Sequence, residues 1–361
     1  MLKNKTILIA AMLFGSVVGA GFASGKEIFF YFGRFGNFAF IFAFLAVVLF
    51  GVFCYVFLML GKKFALNTLQ QTSNVLFGKL ASLAELVLVC GNLVLLSSML
   101  AGSNSLFNLA LPTLPIHVAS ILTGLCSLFI VFKGFKWLVR INELLAPAIL
   151  FVIFLLLILT VSAGFKFMPP PPQTSLLGAL SPIVSSVLFV CGNIFFVGFV
   201  IAKYGQNCTK KQALGGSVLA GTLLLICIII ELIILFLAPQ STTSDMPLMY
   251  VATLAGTFSK IITLIVIATS VLATASIMHY TITDYLQTFI KNKLLAALIV
   301  LTAAFTLSLL GFSTIITYVY PILGALGVIL CLSATIRLKV DTQTNPMLAP
   351  QSLSKNKKTP I

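Results

Sequence analysis

Gly15-Ser16-Val17-Val18-Gly19-Ala20-Gly21-Phe22-Ala23-Ser24-Gly25 decides how this chain is read. The stretch places four glycines in eleven residues, inside a run over 6–32 whose only charged residues are Lys26 and Glu27. Each glycine disfavours a helix interior by about 1 kcal/mol relative to alanine. In hydrocarbon, backbone groups released by a break must be met by protein, water or a ligand. The stretch therefore reads as a membrane helix interrupted near its middle. The alternative is close helix packing, because Gly15 and Gly19, or Gly21 and Gly25, have small-x-x-x-small spacing.

The remainder of the chain sets the solvent. Of 361 residues, 60% are hydrophobic and 8% charged, whereas a soluble domain carries about 25% charged residues. Apolar runs of membrane-crossing length, about 20 residues, recur throughout. They fall near 6–32, 37–60, 81–109, 115–132, 141–163, 176–202, 213–238, 260–283, 294–311 and 314–336. The expectation is an all-α membrane protein of about ten helices filling residues 1–338, with a polar, disordered cytoplasmic tail over 339–361. The connection from Pro239 to Ser259 contains Asp245 and Pro247, and its moderately apolar second half is expected to form a short helix across the outer face.

The net charge of +15 is explained by topology. With the N-terminus cytoplasmic, 18 of the 22 Lys and Arg residues fall inside, leaving Lys26, Arg34, Lys166 and Lys260 outside. That is the positive-inside rule, so a multi-pass protein of the inner membrane with both termini cytoplasmic is expected. No nucleic-acid partner is needed. The segment after Lys3 and Lys5 imitates a cleavable signal peptide, but the helix count works with it retained. The seven cysteines are odd in number and lack C-x-x-C pairing, so they read as packing residues without a metal or disulfide framework.

The sixth span has a weaker counterpart of the first: Ser181-Pro182, then Cys191-Gly192-Asn193 and Gly198. Broken helices five spans apart are the pattern of a five-plus-five inverted repeat, here about 6–163 and 176–336. Matched discontinuous helices point to a transport site at the bilayer midplane.

Val17-Val18-Gly19-Ala20-Gly21-Phe22-Ala23-Ser24-Gly25-Lys26-Glu27 resembles the N-terminal signature of the YkvI-like bacterial membrane proteins. That family resembles the amino acid–polyamine–organocation (APC) superfamily, whose members share the LeuT-type fold. The resemblance implies a secondary transporter with helices 1, 3, 6 and 8 around a central site. It implies that the amides of Ala20 and Gly21, in the Gly19-Ala20-Gly21 turn, face a substrate carboxylate. It also implies that the carbonyls of Gly15 and Val18 face a cation, with Thr274 of the eighth span as a further ligand.

Several polar side chains are candidates beside this frame. Ser270 and Thr274 are four apart, hence on one helical face. They would complete a sodium shell, or else bond carbonyls of their own helix. Asn193 sits at the presumed sixth-span break, and Asn92 lies mid-helix in the third span. Either amide would orient a polar substrate or bond across helices. Glu231 interrupts the apolar run from Ile226 to Leu237. An ionisable group there is a functional candidate, as a proton carrier or a partner for Lys26. Lys26 and Glu27, just beyond the break, are candidates for an outer gate. In proton-coupled relatives a fifth-helix lysine replaces sodium. No Lys or Arg lies between Glu143 and Gly164, which tilts coupling toward sodium.

The expected function is an alternating-access symporter for a small polar organic solute, with an amino acid as first choice and sodium as coupling ion. A proton-coupled transporter, a channel and an accessory membrane protein are the rivals. No selectivity-filter motif is present, and His117 and His279 stand apart, which disfavours a channel and an intramembrane enzyme. Beyond sodium no cofactor is expected, and the oligomeric state is not legible.

Overall fold

The computed structural model describes residues 5–113, 115, 117–169 and 182–339. The polar tail from 340 onward, and residues 170–181, lie outside the described part. Among the described residues all regular elements are helical. Seven helices are long and apolar enough to cross a membrane. Three shorter apolar helices, Lys5–Val17, Val118–Lys133 and Lys293–Ser308, fall where the first, fourth and ninth spans are expected.

In chain order the helices are α1 (Lys5–Val17), α2 (Ala20–Ala23), α3 (Lys26–Tyr31), α4 (Ala39–Phe64), α5 (Leu69–Phe77) and α6 (Ala81–Ala110). They continue with α7 (Val118–Lys133), α8 (Phe135–Ser162), α9 (Pro182–Gly205), α10 (Lys210–Leu237), α11 (Pro247–Leu254) and α12 (Thr257–Leu286). The last are α13 (Lys293–Ser308), α14 (Phe312–Thr314) and α15 (Tyr320–Lys339), the final two joined by a π-helical turn over Ile315–Val319. The short α11 lies where the sequence places it. The amphipathic α5 was not anticipated, although Thr68 caps it by accepting from the Gln71 amide. Thr209 and Gln212 form a reciprocal capping box that starts α10.

α9 packs against α4 and α15, α12 against α6, α7 and α8, and α1 against α10 and α8. Small residues allow the backbones to meet. A Cβ at Gly61 would overlap the carbonyl oxygen of Ala202, and one at Gly327 would overlap that of Cys191. Ile41, Phe44, Phe151, Phe154 and Val218 point outward, as expected of faces solvated by lipid.

Basic residues gather at one end. Lys5 Nζ donates to the Asn207 carbonyl at 3.1 Å, Lys63 Nζ to that of Leu338 at 3.1 Å, and Lys293 Nζ to that of Val131 at 3.1 Å. These bonds link the starts and ends of helices that the charge pattern assigned to a single side.

One expectation is corrected. The sixth span is continuous from Pro182 to Gly205, without a break at Cys191-Gly192-Asn193. Pro182 is its first described residue. Gly192 serves packing: its Cβ would meet the Gly324 Cα at 3.3 Å.

Candidate functional site

The first span is broken where the glycines place it. α1 ends at Val17, and the Gly19 amide donates to the Val17 carbonyl at 2.9 Å instead of to Gly15. The helix restarts at Ala20 and is interrupted again at Gly25, whose φ of 80° is left-handed. The carbonyls left over find partners on other elements. The Ser270 hydroxyl of α12 donates to the Val18 carbonyl. The Leu248 amide of α11 donates to the Ser24 carbonyl at 2.8 Å. The break is thus held by an eighth-span hydroxyl on one side and by the α11 segment on the other.

A small cavity of about 20 Å³ lies beside the break. On this scale one water needs about 10–15 Å³, so the site is contracted. Ser16, Val17, Gly19, Glu27 and Tyr31 line it from the first span, and Leu95 and Met99 from α6. Phe189, Asn193 and Phe196 contribute from α9, Thr274 from α12 and Tyr320 from α15. The first, third, sixth, eighth and tenth spans therefore converge here.

Thr274 fits the cation role. Its Oγ1 is buried without a hydrogen-bond partner. A Cβ at Gly19 would stand 3.2 Å from that oxygen, so only a glycine leaves the space open. The Val18 carbonyl is an oxygen donor beside it, now satisfied by Ser270. The Gly15 carbonyl lacks its usual partner because the Gly19 amide has turned to Val17. Unwound carbonyls of this kind, with hydroxyls, are the donor set that sodium takes in broken-helix transporters.

Other candidates separate. Asn193 reaches the cavity, although its Nδ2 donates to the Phe189 carbonyl of its own helix at 2.9 Å. Asn92 does not line it: its Nδ2 bonds the Leu88 carbonyl at 2.7 Å, and its Oδ1 is buried without a partner. Thr269 and Ser276 bond carbonyls of α12 itself. Lys26 turns outward to the Ser244 carbonyl at 2.8 Å and does not pair with Glu231. Glu27 turns inward, onto the bare face of Gly21, where any Cβ would overlap its carboxyl. Glu231 on α10 is fully buried and both its oxygens lack partners.

Sequence reasoning missed the aromatic lining. Tyr31 and Phe189 have ring centroids 5.5 Å apart, and Phe196 and Tyr320 5.6 Å apart. The Tyr320 hydroxyl donates to Ser98 on α6 at 3.1 Å. In a chain with 32 phenylalanines nothing local marks these rings. A tyrosine followed by proline inside an apolar span was the one available signal.

The two ends of the site differ. At the α11 end, Asp245 accepts from Ser105 of α6 at 3.2 Å and from Ser313 of α14. With the Lys26–Ser244 and Leu248–Ser24 bonds, this layer closes the site. Toward the basic end a second small cavity, lined by Met12, Ser16, Val139 and Tyr280, continues from the first. It leads to an open cleft of about 880 Å³ between α1, α8 and the end of α9, lined by Val139, Arg140, Pro147 and Lys203. Ser16 and Val139 are shared along this path. The Lys203 ammonium lies 3.5 Å from the Tyr280 hydroxyl across it.

No protein-family model matches the chain. It is similar to the uncharacterized membrane protein YkvI of Bacillus subtilis (strain 168), 26% identical over 346 residues, covering 93% of this chain and 98% of that protein. Among solved structures it is similar to MhsT in complex with L-phenylalanine, with a TM-score of 0.67 and 17% identity over 96% of this chain and 94% of that one. A substrate-bound, outward-open Na+-coupled sialic acid symporter aligns with a TM-score of 0.63 and 15% identity, covering 94% and 79%. Mhp1, a nucleobase-cation-symport-1 family transporter, in a closed conformation with bromovinylhydantoin, gives 0.57 and 12%, covering 92% and 77%. The fold is LeuT-type, the fold of these transporters.

Proposed function

We propose that this chain is a secondary transporter that carries a small polar organic solute by alternating access, with amino acids as the first substrates to test and sodium as the coupling ion. The observation that carries the reading is the unpartnered Thr274 hydroxyl facing the first-span break inside a cavity built from five spans. Gly15, Val18, Ser270 and Thr274 would hold sodium. Gly19, Ala20, Gly21 and Asn193 would border the solute. The halves 6–163 and 176–336 would form the inverted repeats.

By the positive-inside rule the basic end is cytoplasmic. The described conformation is then closed outside by the Asp245 layer and joined to the cytoplasm by the cleft beside α8. Opening toward the outside requires the Ser105–Asp245–Ser313 bonds to break. Opening inward requires Met12, Val139 and Tyr280 to separate. Movement of the first and sixth spans against the rest would do both.

A proton-coupled version rests on a specific observation: Glu231 is fully buried with neither oxygen paired. The deciding experiment is thermal stability of the purified chain against an amino-acid panel in sodium and in potassium buffer. A ligand that binds only the folded state raises stability by mass action. A shift that is larger in sodium supports sodium coupling. One that ignores sodium but follows pH moves coupling to Glu231. No shift from any compound removes the substrate class.

A further inference from the structure

Glu27 is the one charged side chain lining the central cavity among the described residues. It is 5% exposed, with its carboxyl seated on Gly21. It has no hydrogen bond and no opposite charge beside it. Neither nearby base pairs with it, although Nε and Nη1 of Arg34 are buried without a partner. Lys26 reaches the Ser244 carbonyl, and Arg34 donates to Ser185 at 3.3 Å with its guanidinium over the rings of Phe30 and Phe35. Behind Glu27, across the α3–α10 contact, the carboxyl of Glu231 adds a second acid that interacts with it electrostatically. The cavity walls also hold two aromatic pairs, Tyr31–Phe189 and Phe196–Tyr320.

We infer that the central site recognises a protonated amine through Glu27 and does not require a carboxylate on the solute. The inference rests on the transporter reading above and names the solute group that the site selects. A carboxyl buried without a partner carries its charge only when a cation sits beside it, so the pocket favours an ammonium group and offers nothing to an anion. Aromatic faces add attraction for an ammonium group. A substrate carboxylate brought to Gly21 would meet the Glu27 carboxyl already resting there. Amino acids enter by virtue of their ammonium group, and their decarboxylated amines enter at least as well.

The test uses the purified full chain in sodium buffer and three matched compounds: phenylalanine, phenethylamine and N-acetylphenylalanine, with the leucine series beside them. Phenethylamine or isopentylamine is expected to raise the melting temperature at concentrations no higher than the parent amino acid needs, and the N-acetyl compounds to leave it unchanged. Glu27→Gln should weaken amine binding by roughly 10- to 100-fold, the worth of a charge-assisted bond. Glu27→Asp, which keeps the charge, should lose less; if the glutamine variant fails to fold, the comparison of the amines with the N-acetyl compounds on the unaltered chain carries the test. Binding of the amino acids or N-acetyl compounds without the amines overturns the inference and leaves the transporter reading intact. So does undiminished amine binding in Glu27→Gln. If none of the compounds binds, this inference and the amino-acid reading fall together.

Discussion

Thr274 on α12 faces Gly19 at the first-span break so closely that a Cβ on residue 19 would lie 3.2 Å from the threonine's Oγ1 and Cγ2. The two residues are 255 positions apart in sequence, yet they define the gap in which a cation would sit. Thr274→Val keeps the shape and removes a hydroxyl that has no partner. Stability without ligand should hold or rise by about 1 kcal/mol, while the extra stabilisation given by sodium over potassium is lost. Thr274→Ser should retain it. Melting curves in the two salts decide the matter, and an undiminished sodium effect in the valine variant would exclude the hydroxyl as a ligand.

Asp245 holds the α11 end shut through Ser105 and Ser313. Hydrogen bonds to a charged group contribute about 1.5–3 kcal/mol each. Asp245→Ala is therefore expected to shift the population toward a form open at that end. A cysteine introduced at Phe189, which lines the cavity, should then react faster with a membrane-impermeant thiol reagent added from that side. Equal rates in the two backgrounds would show that the aspartate is not part of the closure.

Glu231 is a buried acid whose two oxygens lack partners, a cost of about 1–3 kcal/mol or more. Glu231→Leu should raise the melting temperature. If the residue works in coupling, the same variant loses uptake in reconstituted vesicles. Gain of stability with loss of uptake is the signature of a group retained for function. Gain of stability with uptake intact would remove Glu231 from the mechanism.

Gly327 on α15 lies against the Cys191 carbonyl of α9, and Gly324 lies 2.7 Å, measured from its would-be Cβ, from the Leu188 carbonyl. Backbone cannot yield as a flexible side chain does. Gly327→Ala should cost about 1–3 kcal/mol through overpacking, read as a lower melting temperature in detergent. Gly78→Ala, at a position with open space but a φ of 53°, separates the two effects. It should destabilise only through backbone strain, by about 1 kcal/mol.

The structural features legible in the sequence were those whose signal is local. The clustered glycines at 15–25 announced a break because backbone cost is set residue by residue. Ser270 and Thr274, four apart on one helix, both face the first-span break, as their spacing predicts. Gly192 misled, because a single glycine serves close packing as readily as a break, and the neighbour that decides, Gly324, lies more than 130 residues away. Glu27 was placed at an outer gate from its position beyond the glycines. The left-handed turn at Gly25 instead directs it back over Gly21.

The sequence by itself determined the solvent, the ten apolar segments, the gathering of the basic residues at one end and the location of the break in the first span. These follow from transfer free energy, charge and backbone propensity, which act along the chain. Only the tertiary structure decided which side chains share the cavity: Tyr31, Phe189, Phe196 and Tyr320 with Glu27, and Thr274 apart from Asn92. In a chain that is apolar almost throughout, hydrophobic pattern cannot distinguish a lipid-facing surface from a core. Helix rotation and the close approach of backbones at glycines, set by packing between distant segments, make that choice.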